Sequence, residues 1–250
     1  MGERITDLTE TGSVDDNDLL TFVDVSDTLY STNGTNKKVK KSNLLKGLVP
    51  ENGWIPAEET WTYASSTTFT ISGDKTGKYQ KGDKIKLTQT SVKYFYIIGV
   101  SYSSNNTTIT VTGGSDYSLA NATITKPYFS KAENPQGFPQ LFNWTPTIAN
   151  YGGTLSSVVQ NLKKFSISNG RCHLTVHFSA TIGATMDYIT VTAPVTINAT
   201  DYYVCNVGDI GGALGRVINN TSSSIFLIMP SGGIPTGSGK EFRFIFSYPI

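Results

Sequence analysis

The feature that most constrains this chain is a two-residue alternation of apolar and polar side chains, interrupted about every eight to twelve residues by turn-forming clusters. Cys172, Leu174, Val176 and Phe178 share one parity, Ile189 and Val191 another, and Phe242, Phe244, Phe246 and Tyr248 a third. Successive side chains of a strand point to opposite faces, so this spacing lines one face of a sheet with apolar groups. Phe69 with Ile71, Ile85 with Leu87, and Ile109 with Val111 repeat the pattern, and their Thr and Lys neighbours predict half-buried antiparallel strands with one side wet. Gly73-Asp74-Lys75-Thr76-Gly77, Ser103-Ser104-Asn105-Asn106 and Gly113-Gly114-Ser115-Asp116 supply the intervening turns. Glycine (24) and tyrosine (13) are abundant, which suits many strands joined by tight turns, and the chain reads as all-β.

The pattern divides the chain. Residues 1–50 hold too little apolar material for a core of their own. Within them Leu19–Asp24 reads as a short strand, and residues 30–39 as a hairpin turning at Asn33-Gly34. A basic run, Lys37 to Lys41, leads into Ser42, an N-cap for a short helix over 43–48 that Pro50 stops. Such a segment gains order by packing on copies of itself or on a partner, and Leu19, Leu20, Phe22, Val23, Val39, Leu44 and Leu45 are its docking residues. Residues 51–131 read as a small β-barrel or sandwich. Residues 132–142, rich in Pro and Gly, read as a linker. Residues 143–250 read as a jelly-roll-like β-sandwich.

Little in the sequence points to catalysis. Cys172 alternates into a core face, so Cys172 and Cys205 are expected as reduced core thiols. His173 and His177 are four apart, which on a strand places them roughly 13 Å apart on one face, too far to share an ion within one chain. The same histidine from three chains around an axis could meet one metal. The glycine-rich Gly232 to Lys240 lacks the Ser/Thr and following helix of a phosphate loop, and Asp15-Asp16-Asn17-Asp18 lacks the glycine and distant glutamate of a calcium loop. No cofactor is expected. A net charge of +1 gives no electrostatic case for nucleic acid. The first residues have no signal-peptide pattern and no apolar run is long enough to span a bilayer, so synthesis in a cytosol and no membrane partner are expected. Trp54, Trp61, Tyr63, Tyr79, Tyr94, Tyr96, Tyr117 and Tyr128 offer rings that suit sugars but are more often core or subunit contacts. Loops of a β-sandwich commonly carry binding, which marks Asn150, Tyr151, Thr185, Asp187, Asn206, Asp209, Asn219 and Asn220 as candidate receptor contacts.

Three stretches carry a family resemblance. Ile5-Thr6-Asp7-Leu8 with Asp18 to Asp24 and Lys37 to Leu45 looks like the virion-attachment segment found before many fibres. Trp61 to Thr70, with Lys81 to Gln89 and Tyr94-Phe95-Tyr96, is similar to a module common in such proteins. Asn143-Trp144-Thr145-Pro146, with Gly170 to Phe178, looks like their C-terminal β-domain. Together they resemble tail fibres or receptor-binding proteins of tailed bacteriophages and prophages. The resemblance implies a homotrimer in the virion, made in the bacterial host cytoplasm and docked on another virion protein of tail or capsid through residues 1–50. It implies a non-enzymatic role, adsorption to a bacterial surface glycan. A capsid head fibre or decoration protein without a receptor would be built alike, and a small polysaccharide-cleaving enzyme needs only two carboxylates.

Overall fold

The computed structural model describes residues 19–29, 32–40, 52–197, 204–210, 213–219, 222–228 and 233–250. Among these residues every regular element is a β-strand, and the named strands pair antiparallel in three sheets. The chain forms two compact units, Met1–Pro50 and Glu51–Ile250.

In the first unit β1 (Leu19–Asp24) pairs with β2 (Thr35–Lys40), with Leu19 opposite Lys40 and Asp24 opposite Thr35. This corrects the hairpin expected to turn at Asn33-Gly34: the partner of the basic strand is β1, and a longer loop joins them. Short polar side chains organise that loop in place of a two-residue turn. Asp24 Oδ1 accepts from the Ser26 N–H at 3.1 Å, Asp27 Oδ1 from the Leu29 N–H at 3.0 Å, and the Asp27 carbonyl from Thr35 Oγ1 at 2.7 Å. Leu44, Leu45, the helix expected over 43–48 and the acidic run 15–18 lie outside the described residues.

The second unit begins with a seven-stranded sheet. Its strands are β3 (Ile55–Pro56), β4 (Thr62–Ser65), β5 (Thr68–Ser72), β6 (Lys84–Thr88), β7 (Val92–Ser103), β8 (Asn106–Thr112) and β9 (Thr125–Ser130). They lie in the order β3-β9-β6-β7-β8-β5-β4. The edges β3 and β4 do not pair, so the sheet is open and the barrel alternative is corrected. β3 is two residues long and ends in Pro56, which has no N–H to extend a ladder. Phe69, Ile85, Leu87 and Ile109 are fully buried on one face, where Trp61 stacks on Phe69 at 4.5 Å. β7 turns into β8 through Ser104 and Asn105, both at positive φ (49° and 65°), the geometry of a two-residue hairpin turn.

The opposite face of β6 and β7 was expected to be wet, and it is covered. Tyr96 is 3% exposed and Lys84 7%, beneath a layer that includes Trp54, Phe138 and Phe142. Phe138 and Phe142 come from residues 132–142, the expected linker. Both are buried, and Trp54 Nε1 donates to the Gln136 carbonyl at 2.8 Å. The aromatic rings make this stretch a packed joint despite its Pro and Gly content.

A nine-stranded sheet follows. Its strands are β10 (Phe142–Asn143), β11 (Ile148–Tyr151), β12 (Thr154–Ser168), β13 (Arg171–Ala184), β14 (Tyr188–Thr192), β15 (Val204–Ile210), β16 (Ala213–Asn219), β17 (Ser224–Ile228) and β18 (Gly237–Pro249). Their order is β10-β12-β13-β18-β15-β16-β17-β14-β11. One continuous sheet therefore stands where a jelly roll would have two facing sheets. The edge strands β10 and β11 are joined by four residues that include Trp144, whose N–H donates to the Lys163 carbonyl and whose Nε1 donates to the Thr192 carbonyl at 3.2 Å. That ring ties the two edges together without strand pairing, so the sheet curls over its core and stays open. The alternating faces of β13 and β18 fill the core as their spacing requires: Phe178 stacks on Phe242 at 4.6 Å, and Cys172, Leu174, Phe246 and Tyr248 are at most 1% exposed. Cys172 is a free thiol, and burial pushes its pKa up to about 12.

Candidate functional site

The register of the nine-stranded sheet sorts the candidate loops between its two ends. Tyr151 pairs with Tyr188, Tyr188 with Ile228, and Ile228 with Arg216, so the turns after β11 and β13 and the C-terminal part of β15 belong to one end. Asn219 pairs with Ile225, away from that end, and Asn220 lies outside the described residues. Asn206 and Asp209 are strand residues of β15, not loop residues: β15 continues to Ile210, and Asp209 pairs with Arg243 of β18. The structure thus gathers Asn150, Tyr151, Thr185 and Asp187; Asn206, opposite Arg216, and Asp209 lie toward the same end but on β15, several strands away, and Asn219 lies at the other end.

Local chemistry shapes this end. β11 stops at Gly152-Gly153, whose φ values of 69° and 57° only glycine adopts readily. A Cβ on Gly153 would stand 2.4 Å from the Ala184 carbonyl oxygen, so the turn after β11 can press against the turn after β13 only as glycine. Asn150 Nδ2 donates to the carbonyls of Gly152 (2.9 Å) and Gly153 (3.1 Å), and the Asp187 N–H donates to the Tyr151 carbonyl at 3.0 Å. Met186, fully buried, exchanges backbone hydrogen bonds with Ile234 and anchors the turn between exposed Thr185 and exposed Asp187.

On this frame lies an aromatic strip. Tyr151, 60% exposed, stacks on Tyr188 with centroids 4.8 Å apart and planes within 2° of parallel, and Tyr188 meets Phe226 at 4.9 Å. The exposed Tyr151 ring presents a flat apolar face with a hydroxyl at its rim, and exposed Thr185 and Asp187 flank Met186 in the turn that the Tyr151 carbonyl holds. Tyr188 and Phe226 were not among the expected contacts. Their signal was parity: Tyr188, Thr190 and Thr192 alternate with the core residues Ile189 and Val191, which puts Tyr188 on the outer face. Of the rings named from sequence, Trp54, Trp61, Tyr79 and Tyr96 are at most 3% exposed and serve the core.

The histidines belong to the outer face of β13 and have separate partners. His173 Nε2 lies 3.1 Å from Ser168 Oγ, and His177 Nε2 pairs with Glu241 Oε2. Among the described residues no carboxylate contacts His173 to complete a Ser-His-acid arrangement, and no three potential ligands cluster as a metal site. Of the docking residues in the first unit, Leu19 and Val23 are 52% and 53% exposed, and Val39 is partly buried. Leu20 and Phe22 stand opposite Val39 and Lys37. No protein-family model, no curated protein and no solved structure matches this chain.

Proposed function

We propose that this chain is a structural virion protein, a short trimeric fibre or spike whose 143–250 region adsorbs to a bacterial surface glycan and whose residues 1–50 dock on another virion protein. The observation that carries the adsorption role is the exposed Tyr151–Tyr188 stack beside Asn150, Thr185 and Asp187. Sugar rings carry apolar C–H faces and hydroxyls at their rims, which suits a ring platform edged with polar groups. Docking is supported by the first unit. A two-stranded ribbon is marginal alone, and this one leaves Leu19, Val23, Val25 and Leu29 more than half exposed.

Binding of the purified full chain to host cells and to their extracted surface polysaccharide tests the reading, with mass measurement in solution testing the trimer. Tyr151→Ala should weaken glycan binding by about 1 kcal/mol, roughly fivefold, while leaving the melting temperature nearly unchanged. Absence of binding across suitable hosts would favour a decoration or accessory virion protein without a receptor. Release of reducing ends from the polysaccharide would establish the hydrolase reading instead.

A further inference from the structure

Lys84 opens β6 on the face covered by the aromatic joint and is 7% exposed. Its ammonium lies 5.8 Å from the ring centre of Tyr96 and 5.9 Å from that of Phe138, at the outer limit of a cation–π contact. Among the described residues it makes no ion pair and no side-chain hydrogen bond, although the charges of Asp83 and Glu133 act on it; Lys131 pairs with Asp83 at 3.3 Å. Most of the Lys84 side chain is removed from water while its ammonium, unbonded among the described residues, lines a groove, so an anion that enters there meets a cation in a less screened setting than at the open surface. The same burial lowers the pKa of Lys84.

Lys84 lines a groove of about 260 Å³ formed where the 80–84 turn meets the turn between β12 and β13. The charged lining is Lys81, Lys84 and Lys131 against Asp83 and Glu133, three positive and two negative, a net of +1. That balance suits a single negative charge, and a dianion would meet two carboxylates. The remaining lining is Gln80, Gly82, Ser168, Asn169 and Gly170, which offers hydrogen-bonding groups and no apolar side chain. The volume falls below the roughly 300–1,000 Å³ typical of pockets for drug-sized ligands, the right scale for one sugar unit.

We propose that this groove binds a carboxylate-bearing sugar, with the carboxylate on Lys84 and the hydroxyls on the neutral polar lining. The site is separate from the aromatic strip. β13 runs from Arg171 beside the groove to Ala184 beside the strip, 14 residues or about 45 Å of strand. The proposal stands whether or not the strip adsorbs to a glycan.

Calorimetric titration of the full chain with sodium glucuronate, glucose and inorganic phosphate tests it. Glucuronate should bind and glucose should not. Lys84→Met, which replaces a buried charge with an apolar side chain of similar length, should weaken glucuronate at least ~10-fold without lowering the melting temperature. Glu133→Gln, at an exposed position that the fold does not need, should tighten it about two- to fivefold by removing a competing charge. Tyr151→Ala should leave it unchanged. No glucuronate binding up to about 10 mM, equal binding of glucose, tighter binding of phosphate, or an unaltered affinity in Lys84→Met would each overturn the assignment.

Discussion

Glu59 and Asp83 show how one carboxylate can be held below its ordinary pKa and another above it in loops of the same sheet. Desolvation alone would raise Glu59, but Lys78 Nζ reaches both its oxygens (2.8 and 2.9 Å) and Tyr79 Oη donates at 3.1 Å, so the net shift is downward. Asp83 is 3% exposed, and there desolvation outweighs the Gln80 N–H and Lys131, so the net shift is upward. A carboxylate lowered on folding contributes stability above its unfolded pKa and loses it as the pH falls through the folded value. A raised one contributes only in acid, and its stabilisation is lost as the pH rises from 3.8 through the folded value. Comparing wild type with Glu59→Gln isolates the first effect, because both proteins carry Asp83. The variant should be less stable by about 1 kcal/mol at pH 7, a modest figure because the pair is partly solvated, and the difference should vanish as the pH falls well below 4.5. Urea unfolding of both proteins across pH 3–7 checks this; a difference that persists in acid would mean that lost packing is responsible.

At the scale of elements, the turn between β8 and β9 clasps the start of the nine-stranded sheet. Asp116 accepts from the Asn143 N–H at 2.8 Å and from Asn143 Nδ2 at 2.9 Å, while the Ser115 N–H donates to the Asn143 carbonyl at 2.8 Å. Gly114 makes this approach feasible: it adopts φ 60°, and a Cβ there would lie 1.9 Å from the Asn143 carbonyl oxygen. Gly114→Ala should therefore destabilise the protein by about 3 kcal/mol or more, combining left-handed strain with loss of the clasp, whereas Gly77→Ala, which meets nothing, should cost far less. Thermal melts of the two variants give the comparison. The Gly113-Gly114-Ser115-Asp116 turn was legible in the sequence; its partner was not. The same division runs through the chain. Strands β5, β6, β8, β13 and β18 were legible because parity is a local property and a buried face enforces it. The pairing of β1 with β2, the gathering of Tyr151 with Tyr188 and Phe226, and the burial of Lys84 depend on register between distant segments, which local spacing does not encode. Phe138 and Phe142 sit among Pro and Gly without periodicity, so their role in the joint had no local signal either.

Across the whole molecule, the aromatic joint decides how the two large sheets unfold. Tyr96 of β7 meets Phe138 at 5.0 Å and Phe142 at 5.3 Å, and Phe142 in turn meets Phe165 of β12 at 5.9 Å. Tyr96 therefore belongs to the core of the nine-stranded sheet, while the seven-stranded sheet keeps a second core, with Phe69, Ile85 and Ile109, on its other face. Separating the sheets would expose several large rings, each worth roughly 1.5–3 kcal/mol when buried, a sum comparable with the whole stability of a typical domain. Opening either sheet uncovers this shared layer, so the two are energetically coupled through it. Residues 51–250 should accordingly melt in one cooperative transition, with calorimetric and van't Hoff enthalpies in agreement. Removing residues 1–50 should leave that transition in place, since they form a separate compact unit. Phe142→Ala should lower the melting temperature steeply, by about 3–5 kcal/mol of stability, and it weakens the joint without touching the core of either sheet far from it. Scanning calorimetry of the full chain, the truncated chain and this variant distinguishes the cases: two transitions in the wild-type 51–250 region would mean that each sheet holds its own core, and the joint only tethers them.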